Sequence, residues 1–208
     1  MSYPAIRKIY LASKSPRRRE LLRQIGVDFE LLLLNSRGAE NGDTVNEQML
    51  PGEAAHDYVR RVSKEKADAA WSSLEYRRLP VRPVLTADTT VVLDGRMLGK
   101  PQNKKEAVSM LRELSGKTHK VLTCITIRSR DVFLQEVQES DVTFADLSEK
   151  VIESYCDTLE PYDKAGGYGI QGMAAKFITR IAGSYSGIAG LPLYETTRLL
   201  REVGVYIP

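Results

Sequence analysis

The stretch Lys8-Ile9-Tyr10-Leu11-Ala12-Ser13-Lys14-Ser15-Pro16-Arg17-Arg18-Arg19-Glu20-Leu21-Leu22 changes its hydrophobic period within a few residues. Lys8 to Ala12 is a short apolar run, which predicts a strand. Ser15 suits a helix N-cap, and Pro16 suits the first helical position, where a missing N–H costs nothing. Leu21, Leu22 and Ile25 then recur on one helical face, and Gly26 supplies the stop. A strand that runs straight into a helix start is the building unit of α/β proteins, so this stretch sets the fold class.

Working outward, Phe29 to Leu34 reads as a second, buried strand, and the polar text from Asn35 to Gly52 as a long loop. A helix is predicted from Glu53 to Ser73, with Ala55, Val59, Val62 and Ala69 on one stripe. Lys66 falls in that stripe, between Val62 and Ala69, an unusual place for a cation. Val84 to Ala87 reads as a strand ending at Asp88, and Thr90 to Leu93 continues extended to the turn signal Asp94-Gly95. Lys104 to Leu114 is an amphipathic helix closed by Gly116. Val121 to Ile127, Val132 to Val137 and Asp141 to Phe144 read as strands. Ser148 caps a short helix carrying Val151, Ile152 and Tyr155. Asp163 to Gly172 is a glycine-rich loop, Phe177 to Ile181 a strand, and Leu193 to Val203 the last helix. Strands alternate with helices early and cluster in the middle. The expectation is a single domain over residues 1–208, α/β, with a mixed sheet and flanking helices.

Composition narrows the function classes. Thirty Lys plus Arg against 27 Asp plus Glu leave a net charge of +3 over 208 residues. That excludes a strongly basic nucleic-acid coat and an acidic disordered tail. No apolar run approaches the roughly 20 residues of a membrane helix. Met1 to Ala5 lacks the basic-then-apolar layout of a secretory signal. Cys124 and Cys156 are far apart and belong to no CxxC pair, which argues against a disulfide framework or structural zinc. The expectation is a cytoplasmic protein with no membrane partner and no nucleic-acid partner.

Several stretches carry chemistry. Ser13 to Arg18 places two hydroxyls and fixed cations at a helix start, whose free N–H groups attract anions. Arg17 and Arg18 add donors suited to phosphate; an ordinary capped helix with solvated arginines fits the same residues. Asp88, at the end of a strand, lies where α/β proteins place ligands, and could hold a divalent cation or activate water. A turn-capping Asp is the alternative. Lys100, between Gly99 and Pro101, sits in a rigid bend. Lys66 points inward by register, although a lysine snorkelling at the core edge fits too. Gly167, Gly169 and Gly172 spell a literal G-x-G-x-x-G, but the text after them reads extended, so the dinucleotide-binding context fails. Gln171, in that loop, offers a donor and an acceptor, as a base edge requires.

Taken in order, Leu11-Ala12-Ser13-x-Ser15-Pro16-Arg17-Arg18, Ala87-Asp88-Thr89, Gly99-Lys100-Pro101, Gly166-x-Tyr168-Gly169-Ile170-Gln171-Gly172 and Gly190-Leu191-Pro192-Leu193 resemble the Maf (septum-formation) family of nucleoside triphosphate pyrophosphatases. The likeness covers nearly the whole chain. Its stretch from Asp163 to Gly172 resembles the subgroup acting on dTTP and UTP. The resemblance implies a twisted sheet in two lobes around a nucleotide cleft, of Maf and inosine triphosphatase-like type. It implies a divalent cation, Mg or Mn, and hydrolysis of the α–β phosphoanhydride to monophosphate and pyrophosphate. By position, Asp88 is the implied proton acceptor and metal ligand, and Lys66 and Lys100 the other catalytic residues. Ser13 and Arg18 match the phosphate-lining cluster, and Arg17, Thr89 and Gln171 the positions associated with substrate choice. A house-cleaning role in nucleotide metabolism and a homodimer are further implications.

Two places depart from the family pattern. Where members carry an acidic pair after the second strand, this chain reads Asn35-Ser36-Arg37-Gly38-Ala39-Glu40, with Glu40 as the available carboxylate. Gly187-Ile188-Ala189 replaces a more usual polar–Val–Val sequence. The competing readings are a nucleotide-binding regulator of cell division with little turnover, favoured by loss of the metal acid, and a nucleic-acid binder using Arg17 to Arg19, Arg60, Arg61, Arg77 and Arg78. The low net charge and the absence of an aromatic stacking motif argue against the last.

Overall fold

The computed structural model describes residues 6–33 and 45–208. The segment Asn35 to Glu40, singled out above for its departure from the family pattern, lies outside the described residues. Strand β1 (Lys8–Leu11) feeds helix α1 (Pro16–Gln24), as the opening stretch predicts. Strand β2 (Asp28–Leu31) pairs in parallel with β1, and β1 pairs in parallel with β3 (Val84–Leu93). Helix α2 (Ala55–Tyr76) lies between β2 and β3 in the chain. Strand β4 (Arg96–Leu98) folds back antiparallel on β3 through the Asp94-Gly95 turn, where both residues have positive φ of 50° and 78°. Helix α3 (Lys104–Leu114) follows, with the Asn103 side chain accepting from the Glu106 N–H as its N-cap. Then come β5 (Thr118–Arg128), β6 (Phe133–Phe144), helix α4 (Glu149–Cys156), β7 (Ile178–Ala182), the single-turn helix α5 (Tyr185–Ile188) and helix α6 (Leu193–Glu202). The seven strands are bonded in the order β2-β1-β3-β5-β6-β7, with β4 on β3. Parallel β2-β1-β3 and antiparallel β3-β4 and β6-β7 make the sheet mixed, as expected.

The chain separates into two compact units. The first holds residues up to Asp88, Cys124 to Val137, and Gly190 onward; the second holds Thr89 to Thr123 and Gln138 to Ala189. In the first, Tyr10, Ala12, Leu32 and Val84 from the strand side pack against Ala70, Trp71 and Leu74 of α2. In the second, His119, Phe144, Tyr155, Tyr168 and Phe177 form a chain of edge-to-face ring contacts with centroids 4.8–6.1 Å apart, a geometry that aromatic quadrupoles favour.

Four sequence expectations are corrected. Strand β2 is not buried: Leu31 is 39% exposed, because β2 ends the strand order and has one neighbour. The two strands expected on either side of Asp88 are one, β3, so Asp88 and Thr89 lie within a continuous strand. The two expected around residue 138 are likewise one, β6. Met173–Phe177, expected extended, is a 3-10 turn, because the Glu160 carboxylate accepts from the N–H groups of Met173 (2.9 Å) and Ala174 (3.3 Å) and so satisfies its free end.

His119 supplies a pH prediction. Its ring is 2% exposed, Nε2 shares a 2.6 Å hydrogen bond with the Tyr168 hydroxyl, and Nδ1 is buried without a partner among the described residues. Burial holds the imidazole down to about 4, against a weak opposing pull from Asp141. Below pH ~6.5 the unfolded chain takes up a proton that the folded chain refuses, so stability present above that pH is lost on acidification. Unfolding free energy is expected to fall by up to about 3 kcal/mol between pH 6.5 and 4 from this group. Urea titrations across that range should show the increment missing in His119→Gln; parallel pH profiles would refute it.

Candidate active site

In the first unit the charge is concentrated around Lys66. Its side chain is 15% exposed, and Nζ lies 2.8 Å from Asp88 Oδ1 and 2.7 Å from Glu47 Oε1. The lysine expected to face inward does so, but as a bridge between two carboxylates. Asp88 Oδ2 is buried and has no hydrogen-bond partner among the described residues. The α1 start approaches the same charges: burial lowers the pKa of Arg18, while Asp88 and Glu47 raise it and Arg17 lowers it further. Arg18 Nε donates to the Gly190 carbonyl (2.7 Å), and its Nη1 reaches toward Ser13 Oγ (3.4 Å). Ser13 Oγ also accepts from the Ser15 N–H (3.2 Å). Neither Ser15 nor Ser148, both expected to cap a helix, makes a side-chain cap bond; the Ser13 hydroxyl holds the N–H of Ser15 itself and not one of the helix's first turn. Arg19 turns back to donate to the Lys14 carbonyl at 2.7 Å, which separates it from Arg18. Arg17 is half-buried beside them.

The second unit holds Thr89, Lys100 and Gln171. Thr89 Oγ1 and Thr123 Oγ1 are 2.9 Å apart, and Thr123 donates to the Gly187 carbonyl at 2.8 Å. The loop Gly183 to Pro192 thus has a polar anchor beside Thr89. Lys100 is exposed, and the Gly166 N–H donates to the Gly99 carbonyl before it (3.0 Å). Gly166 has φ 70°, and a Cβ there would meet the Val91 side chain at 3.0 Å; only glycine satisfies both demands. Gln171 is exposed, between buried Ile170 and the turn held by Glu160. Gly172 leaves no room for a Cβ beside the Glu160 carboxylate.

A family model described as Maf-like protein matches residues 8–203. A dTTP/UTP pyrophosphatase of Nitrosomonas europaea is 48% identical over 207 residues, covering 100% of both chains. One of Cupriavidus pinatubonensis is 52% identical over 194 residues, 93% of this chain and 96% of its own. One of Cupriavidus metallidurans is 50% identical over 198 residues, 95% and 98%. The chain belongs to the Maf family.

Within this Maf chain, the structure brings Lys66, Asp88, Arg18 and Ser13 into one first-unit cluster, and places Thr89, Lys100 and Gln171 in the second. Glu47 is the residue that the sequence reading missed. The sequence reading named Glu40, which lies outside the described residues, whereas Glu47 comes from the segment just before α2. The signal available was its position shortly before α2, but a loop carboxylate has no periodicity to mark it. Among the described residues no group of three or more His, Cys, Asp or Glu converges as a metal site. The protein offers the carboxylates of Asp88 and Glu47, with one buried oxygen unpartnered.

The sequence alone, treating Lys66 as an unpaired cation, leads one to expect unchanged or higher stability for Lys66→Met. The two contacts reverse that. Removing the ammonium leaves Asp88, whose side chain is 10% exposed, without its ion pair, with Arg18 as the nearby counter-charge and Glu47 49% exposed. A loss of about 1–3 kcal/mol is expected in urea unfolding at neutral pH. Equal or greater stability would mean that water screens the two carboxylates.

Proposed function

We propose that the chain is a nucleoside triphosphate pyrophosphatase that hydrolyses dTTP and UTP to the monophosphate and pyrophosphate. The observation that carries the reading is the buried, unpartnered Asp88 Oδ2, beside Lys66 and the Arg18 end of α1. The names of the relatives supply the substrate class. Asp88, with Oδ1 taken by Lys66, keeps a free lone pair to accept the proton of an attacking water. The water oxygen bonds to the α-phosphorus, the α–β bridging bond breaks, and pyrophosphate leaves. Lys66, Lys100 and Arg18 offset charge on the phosphate oxygens, with Ser13 as a further hydrogen-bonding group. Thr89, Arg17 and Gln171 choose the nucleotide.

Oxygen donors without sulfur or imidazole suit a hard cation such as Mg²⁺ or Mn²⁺, which needs one or two carboxylates and completes its shell with substrate phosphates and water. Asp88 and Glu47 fit that demand. When bound, the cation would supply Lewis-acid stabilisation of the phosphate oxygens. Reading Glu47 as the metal-holding acid removes the ground of the regulator alternative, which rested on its loss. We place the chain in the cytoplasm, where its two free cysteines, Cys124 and Cys156, fit a reducing environment. No helix among the described residues is long and apolar enough to cross a membrane. The family's homodimer belongs to the same reading, and a monomer by light scattering would remove it.

Assay of inorganic pyrophosphate over a nucleotide panel tests the reading. Pyrophosphate release from dTTP and UTP should depend on divalent metal, and single-phosphate release or full activity in excess EDTA would overturn it. Asp88→Asn keeps the shape and removes the base. Its kcat should fall roughly 10²- to 10⁴-fold, and a near-normal kcat would exclude Asp88 as the proton acceptor.

Base choice has a separate test. The Gln171 amide can donate to O4 and accept from N3–H, the edge shared by uracil and thymine. In the same orientation its N–H₂ would face the cytosine amino group, and an unpaired polar contact costs roughly 1–3 kcal/mol. Gln171→Glu cannot donate, so kcat/KM for UTP and dTTP should fall while CTP gains relative to them. Equal losses on all three nucleotides would show that Gln171 does not read the base.

A further inference from the structure

Glu47 lies on a segment with no regular structure and little apolar burial. Asn46 and Gln48 are exposed, as are Met49 (48%) and Leu50 (45%). What holds it is polar and comes from α2. Arg61 Nη1 donates to the Asn46 carbonyl (3.0 Å), the Tyr58 hydroxyl to the Glu47 carbonyl (3.0 Å), and Arg61 Nη2 to the Gln48 carbonyl (2.9 Å). Three consecutive carbonyls, centred on Glu47, are therefore tied to one helix. The same guanidinium grips Glu53 in a bidentate pair, Nε to Oε1 at 2.6 Å and Nη2 to Oε2 at 2.8 Å, and reaches Glu65 Oε1 at 3.3 Å. Glu53 Oε2 in turn accepts the Leu50 N–H at 3.1 Å, closing the far end of the segment. All five guanidinium N–H groups have an acceptor, an arrangement that an ammonium with three donors cannot reproduce. Arg61 is mostly buried, with 21% of its side chain exposed, and its partner Glu53 is at 9%.

We propose that Arg61 is a positioning residue for Glu47: by clamping the carbonyls on either side of it, Arg61 presents the Glu47 carboxylate to Lys66 and to the divalent cation shared with Asp88. The proposal rests on the reading of Glu47 as a metal-holding residue. It differs from a general stabilising role in one measurable respect. A clamp that acts through Glu47 loses its effect on metal once Glu47 no longer offers a carboxylate.

The test uses the full chain and Mn²⁺, with free Mn²⁺ followed by electron paramagnetic resonance in the presence of α,β-methylene-UTP, which cannot be cleaved. Glu47→Gln, Arg61→Lys and the double variant are compared, with thermal unfolding as a check on folding. Outer residues that orient metal ligands typically change affinity about 10- to 100-fold, so Arg61→Lys is expected to weaken Mn²⁺ at least about tenfold, approaching Glu47→Gln. The double variant should be no weaker than Glu47→Gln alone, since coupled residues are not additive. Saturating Mn²⁺ should restore most of the kcat of Arg61→Lys on UTP. Wild-type Mn²⁺ affinity in Arg61→Lys, with Glu47→Gln weakened, would overturn the clamp while leaving the metal reading intact. Independent, additive losses would overturn it too. Wild-type affinity in Glu47→Gln would remove the metal reading and the proposal together. Where Arg61→Lys does not fold, Tyr58→Phe takes its place. It deletes only the hydroxyl bond to the Glu47 carbonyl and is expected to weaken Mn²⁺ by a smaller factor, and an unchanged affinity there counts against the proposal.

Discussion

A lysine ammonium on the inner side of α2 is the constraint around which the first unit is arranged. The helix buries Val59, Val62, Ala67, Ala70, Trp71 and Leu74, and a bare cation at the edge of that face would cost several kcal/mol. Lys66 is tolerated because Asp88 arrives from β3 and Glu47 from the segment before α2. The lysine offsets the repulsion between the carboxylates, and the buried Asp88 depends on it more than Glu47, whose side chain is half exposed. The strand, the helix and the loop must therefore keep one register, and Arg18 adds its charge to a pattern already fixed.

The register has a visible source in a ladder of buried hydroxyls. Thr86 Oγ1 donates to the Ser63 carbonyl at 2.8 Å, Ser63 Oγ and Thr126 Oγ1 are 2.8 Å apart, and Gln135 Nε2 donates to Thr126 Oγ1 at 2.9 Å. Ser63 precedes Lys66 by three residues, so both lie on one helix face. Thr86 precedes Asp88 by two, so both lie on one strand face. Docking Ser63 on Thr86 therefore sets Lys66 over Asp88. Neutral hydroxyls fix the geometry, and the charges are free to do chemistry.

What the sequence made legible follows from what has a period. Lys66 stood out because it interrupts an apolar stripe, and Asp88 because it follows a β-rich run; the contacts explain both. The run of strands and helices was readable for the same reason. Glu47 was not readable, since a carboxylate in a loop is positioned by carbonyl tethers that leave no pattern in residue types. The joining of two expected strands across Asp88 and Thr89 was also hidden. Asp is depleted in strands, but here Asp88 finds Lys66, and Thr89, a good strand former, finds Thr123, so the strand runs through them. The 3-10 turn after Gln171 depends on Glu160, which lies 13 residues before Met173 and gives no local signal.

On the proposed function, the two units face different physical demands. Phosphate chemistry rewards charges held away from water, where each is worth more, and the first unit supplies the partly buried Lys66, Asp88 and Arg18. Reading a pyrimidine edge rewards a donor and acceptor that are exposed before binding, because a buried amide would already be committed to a protein partner. Exposure alone would leave Gln171 too mobile to discriminate. Its neighbours resolve the conflict: Tyr168 is pinned to His119, Gly166 is packed on Val91 and bonded to Gly99, and the backbone after Gly172 is capped by Glu160. The side chain stays open while the backbone on both sides of it is fixed. Much of its ordering cost is thereby met during folding and not at each binding event, which is what selectivity between UTP and CTP from a single amide requires.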